Sequence, residues 1–434
     1  MRGEPDVAIT VRTTRHGPVI SDAAPALTRS TAEGHAVALS TPAFYQTDRT
    51  ALALFNLNKA RSWDAFRAAL ADWHAPMQNI VYADITGDIG LLAPALLPRR
   101  GTGDGWLPQP GWTGEADWNG FASAGDLTAL HNPSTGRIVN ANNRLVPEDF
   151  PLFITREWDA PYRAERIHEL LDAMPSPDVS TMEALLSDPV SRFARAAITR
   201  LDGVARRDEP SAQALDRLRR WEGAMRRDRA EPLIFNAWMR ELYRALLGAT
   251  GERDLLEGLR ERPEMLLAAL EGRSAFCKDT PDGCDAAVAD ALARAVQTLT
   301  TRFGPDMETW RWGRMHYAPF RHPLFARVPL LRDLVGFRVA TDGDYYTVNR
   351  GASRLGDGRE PFAHVHGAGY RAIYDLADLS RSRFIVTPGQ SGHPLSRHWG
   401  DLVGDWADGR HITLTGGRNA LRAAGGSRLV LAPR

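Results

Sequence analysis

Apolar residues follow two different spacings along this chain, and the spacing changes near residues 163 and 305. Residues 1–162 read as short strands broken by turns. The stretches 7–12, 36–40 and 80–83 have strand composition. Glycine-rich breaks at 87–88, 103–105 and 111–114 punctuate them. One helix interrupts this block. Ser62 suits an N-cap, Asp64 falls in the first turn, and Phe66, Leu70 and Trp73 share a face, which predicts a helix over 62–73.

From 163 to 304 the period becomes helical. Ile167, Leu170, Leu171 and Met174 repeat at helical spacing, and the same pattern returns over 212–221, 233–247, 255–270 and 284–303. Pro175, Pro177, Pro210, Pro232, Pro263 and Pro281 sit at or near the ends of these runs. Residues 305–434 return to strands, with candidates at 337–340, 345–348, 371–374 and 383–386. Three blocks result, 1–162, 163–304 and 305–434. They predict an α+β fold in which the first and third blocks build one β-rich core around a helical insertion.

Composition narrows the function classes. The chain is 43% hydrophobic and 24% charged, with 53 basic and 53 acidic residues. That is a globular balance, and zero net charge gives no field to draw nucleic acid. No stretch reaches the roughly 18 apolar residues of a membrane span. Only Lys59 and Lys278 are lysines, so a lysine-nucleophile mechanism has two positions to choose from, and neither setting is suggestive. The polar start at Met1 shows no secretory leader and runs straight into a strand-like segment, as expected for a piece of something longer. Cys277 and Cys284 flank Pro281 and Gly283; they read as a small disulfide loop in an oxidising compartment, or as two thiols in a reducing one.

Familiar catalytic signatures are incomplete. Gly389-Gln390-Ser391-Gly392-His393 misses a nucleophile elbow by one position. His364-Val365-His366 would place two imidazoles on one strand face as metal sites do, but without a nearby third ligand it reads more readily as structural. Asp342-Gly343-Asp344 reads as a solvated turn before a cation site. Asn140-Ala141-Asn142-Asn143 follows a strand-like run. Its side-chain N–H groups could stabilise an oxyanion, while by pattern alone it reads as an Asx-turn. Pro161-Tyr162-Arg163-Ala164-Glu165-Arg166 opens the helical block; Arg163 there is either a carboxylate anchor or a solvated helix-start arginine.

Taken together and in order, these segments resemble the penicillin acylase (penicillin amidase) family of N-terminal-nucleophile hydrolases. His16-Gly17-Pro18-Val19 looks like the family's His-Gly-Pro-Val. Tyr82-Ala83-Asp84 with Gly87-Asp88-Ile89-Gly90 is similar to its strand-turn-strand segment. Gly111-Trp112-Thr113-Gly114, Asn132-Pro133 and Asn140-Ala141-Asn142-Asn143 follow in family order, and Gly389-Gln390-Ser391-Gly392 with Pro394, Ser396 and His398 closes the series. Each motif is weak alone; their ordered co-occurrence spans almost the whole chain.

The resemblance implies an αββα sheet sandwich, here lacking its N-terminal part, and hydrolysis of a linear amide: the N-acyl side chain of a β-lactam or an acyl-homoserine lactone. The family's nucleophile is an N-terminal serine whose own α-amine, titrating near neutrality, serves as base. Asn142 then corresponds to the oxyanion-hole asparagine and Arg163 to the arginine that orients the site. The serine would precede His16-Gly17-Pro18-Val19, so the resemblance implies a partner segment of the same precursor outside this chain, and a chain inactive alone. Neither Gly101-Thr102 nor Gly426-Ser427 offers a substitute inside it. A structural calcium ion is implied too, with Asp159, out of register, as its ligand here and the others in the missing segment. Phe150 and Phe153, with Trp158, are candidate acyl-pocket residues, though core packing explains large aromatics as well. The family's usual periplasmic location agrees with a Cys277–Cys284 bridge. The competing expectation is a secreted, non-catalytic relative that keeps the cleft and binds an acyl ligand.

Overall fold

Ser62 starts the first well-packed helix: its side chain accepts from the amide of Ala65. The structure, a computed structural model, describes residues 3, 5, 8–122, 124–248, 262–279, 282–354, 360–425 and 429–432. They form two compact units, 1–159 and 160–434.

In the first unit, β1 (Thr13–Thr14) and β2 (Gly17–Pro18) make a short hairpin. Helices α1 (Pro25–Ser30), α2 (Thr50–Leu57) and α3 (Trp63–Leu70) follow. Next come β3 (Ile80–Ala83), β4 (Ile89–Leu92), β5 (Pro98–Arg100), β6 (Trp118–Phe121) and β7 (Ala129–His131). Strands β3, β4 and β7 form an antiparallel sheet in which Tyr82 pairs with Gly90 and Gly90 with His131. The apolar face of α3, with Trp63, Phe66 and Leu70, packs with Leu92 of that sheet. Of the strand expected over 7–12, residue 7 lies outside the described residues and 8–12 are not strand, while 36–40 contribute only a single bridge, Ala38 to Val19.

The second unit opens with helices α4 (Tyr162–Asp172), α5 (Val179–Leu186), α6 (Arg192–Ile198), α7 (Glu209–Arg219) and α8 (Glu231–Gly248). Asp178 and Asp208 start α5 and α7 with reciprocal capping boxes. Helices Pro263–Leu270 and Gly283–Phe303 follow. The first part of the run expected over 255–270, and Ser427, lie outside the described residues. Ala287, Ala291 and Ala295 on the long helix leave room for Trp238, Leu242 and Leu246 of α8, and the indole of Trp238 donates to the carbonyl of Val288 at 3.0 Å. Trp310, Trp312, Tyr346 and Phe362 join this same core.

Seven further strands follow among the described residues: β8 (Tyr317–Phe320), β9 (Phe337–Ala340), β10 (Gly351–Ala352), β11 (His366–Gly367), β12 (Tyr370–Ile373), β13 (Arg383–Val386) and β14 (Ile412–Thr413). All described strand pairs are antiparallel, in sheets of two or three strands. The protein is thus mixed helix and sheet. Residues 345–348 are a buried turn, not the expected strand. Asp344 accepts from the Tyr346 amide at 2.7 Å and the Thr347 hydroxyl donates to the Asn349 carbonyl at 2.8 Å, so local side-chain bonds replace a ladder.

Candidate active site

Asn142 stands at the tip of a loop with a left-handed backbone, φ 66°, a conformation asparagine tolerates better than most residues. Its neighbours hold it there. The Asn143 carboxamide oxygen accepts from the amide of Ala141 at 3.1 Å, and the carbonyl of Asn142 accepts from the amide of Asp159 at 3.1 Å. The Asn140 oxygen accepts from Nδ2 of Asn79 at 3.3 Å and faces the amide of Asn142 at 3.5 Å. Nδ2 of Asn140 is buried with no partner. The loop is therefore an Asx-type turn whose tip exposes Asn142. Asn140 carried no signal of its own beyond its place in Asn140-Ala141-Asn142-Asn143, and Asn79 lies outside the motifs quoted above.

The other motifs of the first unit tie its loops together. Asp84 closes the β3–β4 turn. It accepts from the amide and hydroxyl of Thr86 at 2.8 and 2.6 Å, from the Tyr82 hydroxyl at 2.5 Å and from the Asp88 amide at 3.2 Å. These donors, the Thr86 hydroxyl foremost, pull its carboxyl down to about 2. Asn132, also left-handed at φ 45°, donates to Asp88 at 2.8 Å and accepts from the Ile89 amide at 2.9 Å. His16 meets Asp117 at 2.7 Å, and Arg15 reaches the Gly111 carbonyl at 2.7 Å, so His16-Gly17-Pro18-Val19 docks on Gly111-Trp112-Thr113-Gly114. Phe150 is half-buried and Phe153 exposed, while Leu152 and Ile154 between and beyond them pack on Leu97, Ala122 and Leu127.

In the second unit, Arg163 lies half-buried in the first turn of α4. Arg166, one turn on, is the buried arginine of this helix. It grips Asp188 through two bonds of 2.9 and 2.8 Å and Glu169 at 2.5 Å. In the closing motif, His398 contacts Asp401 through Nδ1 at 2.7 Å and accepts from Nε of Arg397 at 2.9 Å through Nε2. The Sγ atoms of Cys277 and Cys284 are joined in a disulfide.

His364 is structural, as its pattern suggested, while Asp344 departs from the solvated turn expected of it. His364 is buried against the Thr341 hydroxyl at 3.0 Å while His366 is exposed, so the two imidazoles share no open surface. Asp344 is buried, not solvated, and burial pushes its carboxyl up to about 6. Among the described residues no three His, Cys, Asp or Glu side chains gather as metal ligands, and Asp159 sits half-buried without such company.

A family model for penicillin amidase matches residues 1–423. The chain belongs to the penicillin amidase family. It is 30% identical over 426 residues to penicillin acylase 2 proenzyme of Pseudomonas sp. (strain SE83), covering 94% of this chain and 52% of that protein. It is 26% identical over 472 residues to acyl-homoserine lactone acylase QuiP of Pseudomonas fluorescens, covering all of this chain and 55% of the relative. The chain thus spans about half the length of the curated relatives it matches. The structure of a thermostable penicillin G acylase from Alcaligenes faecalis aligns with a TM-score of 0.73 at 20% identity, over the whole of this chain and 80% of that one. This likeness shows the fold. No helix among the described residues is long and apolar enough to cross a membrane.

Proposed function

We propose that residues 1–434 form the larger, C-terminal part of an amidohydrolase that cleaves a linear N-acyl amide, with a β-lactam side chain or an acyl-homoserine lactone as the substrate class. The observation that carries this reading is the exposed Asn142, held on a left-handed turn by Asn79, Asn140 and Asn143, in a chain of the penicillin amidase family. Amide hydrolysis needs a donor where the carbonyl oxygen becomes negative, and a carboxamide fixed before the reaction supplies it without reorganisation. The nucleophile would be a serine at the free N-terminus of a partner segment of the same precursor, its α-amine taking the hydroxyl proton. The serine oxygen bonds to the acyl carbon, the oxyanion forms against Asn142, and the amine leaves with the proton. Water then releases the acid by the reverse transfer.

In this reading Arg163 is the arginine that orients the catalytic groups, and Phe150 and Phe153 line the acyl side. Asp159 contributes one oxygen to a calcium ion whose other ligands lie outside this chain; calcium would brace the fold. The site would operate in the periplasm or outside the cell, where the Cys277–Cys284 disulfide persists.

An assay of the purified chain on N-acyl amides tests the central point. No turnover alone, and turnover on adding the partner segment, is the expected result. Appreciable hydrolysis by the chain by itself overturns the external nucleophile. In the reconstituted enzyme, Asn142→Ala should lower kcat by about 10²–10³-fold with little change in KM; an unchanged kcat removes Asn142 from the oxyanion site.

A further inference from the structure

Helix α2 turns apolar side chains to water over its whole outer half. Ala53 is buried and Leu57 packs with the cluster around Trp63, which fixes the inward side of the helix. Thr50 is tied inward too, accepting from the His74 amide at 3.0 Å. At about 100° per residue, Ala51, Leu52, Leu54 and Phe55 fill the opposite half. Leu52, Leu54 and Phe55 are 40%, 47% and 59% exposed. A surface helix ordinarily turns polar residues outward, and a helix apolar on every side is ordinarily buried. Helix α2 is apolar on both sides and covered on one. From Thr50 to Ala60 the only charged residue is Lys59, and its ammonium lies 4.1 Å over the Phe55 ring, at one end of the face.

What covers this face follows from the rest of the unit. Among the described residues the buried apolar clusters of the first unit are small, one around Trp63 and one around Leu97, whereas one continuous core runs through the helices of the second. The first unit is the one left short of apolar partners. The chain spans 52% and 55% of the two relatives named above, so nearly half of such a relative's length is polypeptide beyond what this chain supplies. Apolar helix faces with anchors three residues apart, as Leu52 and Phe55 are, seat in hydrophobic grooves of a second polypeptide.

We propose that α2 docks in an apolar groove of the partner segment of the same precursor. Leu52, Leu54 and Phe55 are the anchors, and an acidic side chain of the partner meets Lys59 at the end of the groove. The inference rests on the reading above that such a segment exists, and adds the surface of this chain that binds it.

Hydroxyl-radical footprinting of the whole chain, alone and co-expressed with the polypeptide encoded directly upstream of residue 1, tests it without any substitution. Phe55 and Leu54 should be oxidised at least roughly fivefold more slowly in the complex, as expected of anchors shut away from water. Full Phe55 reactivity in a complex that forms overturns the proposal. So does Phe55 protection that grows with concentration in the chain alone, which would assign the face to a second copy. Failure to form a complex, or no such coding sequence upstream, overturns it as well. Leu52→Ser with Phe55→Ser on a tagged chain should recover at least roughly tenfold less partner segment than the unsubstituted chain; both side chains are exposed, and unchanged circular dichroism would confirm the fold. Equal recovery removes α2 from the interface. A complex that protects Phe55 yet hydrolyses no N-acyl amide overturns the amidohydrolase reading and leaves the docking face standing. A complex that hydrolyses the amide with Phe55 fully reactive does the reverse.

Discussion

The indole of Trp63 lies flat on the backbone of Gly90: a Cβ at position 90 would come within 2.2 Å of the ring. Another neighbour of that ring is His131, stacked at 4.6 Å with 4° between planes and paired with Gly90 across the sheet. A helix residue, a strand glycine and a histidine from a third strand thus share one contact. Gly90→Ala should destabilise the first unit by about 1–3 kcal/mol, the usual range for overpacking a tight contact. Urea unfolding followed by Trp fluorescence would show it, and an unchanged midpoint would mean that Trp63 can move aside.

Arg166 and Asp188 form a paired, nearly buried charge couple between α4 and the turn before α6, with Asp188 also accepting from the Val190 amide at 3.2 Å. Arg166→Ala leaves the Asp188 carboxylate buried without its cation and should cost about 3–5 kcal/mol, whereas Asp188→Ala leaves Arg166 still paired with Glu169 and should cost less. Replacing both by apolar residues of similar volume should cost less than either single change, because no lone charge then remains buried. A double-mutant cycle in guanidinium checks both statements.

Acid should weaken the second unit. Burial pushes His316 down to about 3 and His364 down to about 4, and their rings stack 5.4 Å apart. Both histidines are neutral when folded, but take protons near pH 6.5 once unfolded. Their contribution is complete above that pH and is lost as pH falls from about 6.5 toward 4. Asp344, raised to about 6, acts in the opposite sense between its two values and offsets part of the loss. The net expectation is a lower urea midpoint at pH 5 than at pH 7.5, with a shallower decline in His364→Asn. A midpoint flat over this range would contradict the buried neutral pair.

The disulfide closes a short loop between two buried sulfurs at the foot of the helix Gly283–Phe303. Loops of this size stabilise by about 2–3 kcal/mol through the unfolded chain. Dithiothreitol, or Cys277→Ser with Cys284→Ser, should lower the Tm of the second unit. Mass spectrometry of the native protein without reductant should find no free thiol, and two free thiols would contradict the bridge.

How much of this was legible beforehand depends on the distance over which each contact acts. The helix begun by Ser62, the helical run from Tyr162 to Phe303 where it is described, and the strands at 80–83, 337–340 and 383–386 follow from period and caps, which neighbours within a few residues decide. The strand expected at 345–348 failed because a buried Asp344 and Thr347 offered the backbone closer partners than any strand did. The Asn142 turn was visible as a motif, yet its support by Asn79, sixty-one residues from Asn140, was not.

Order of motifs along the chain was enough to assign the family, because each motif is local and their sequence is preserved in one dimension. Tertiary structure alone decided which glycine must carry no side chain, which of the two arginines in the first turns of α4 is buried, and that three arginines from separate segments line one cavity. Those facts depend on residues brought together across tens or hundreds of positions, and hydrophobic spacing holds no record of which distant face each side chain will meet.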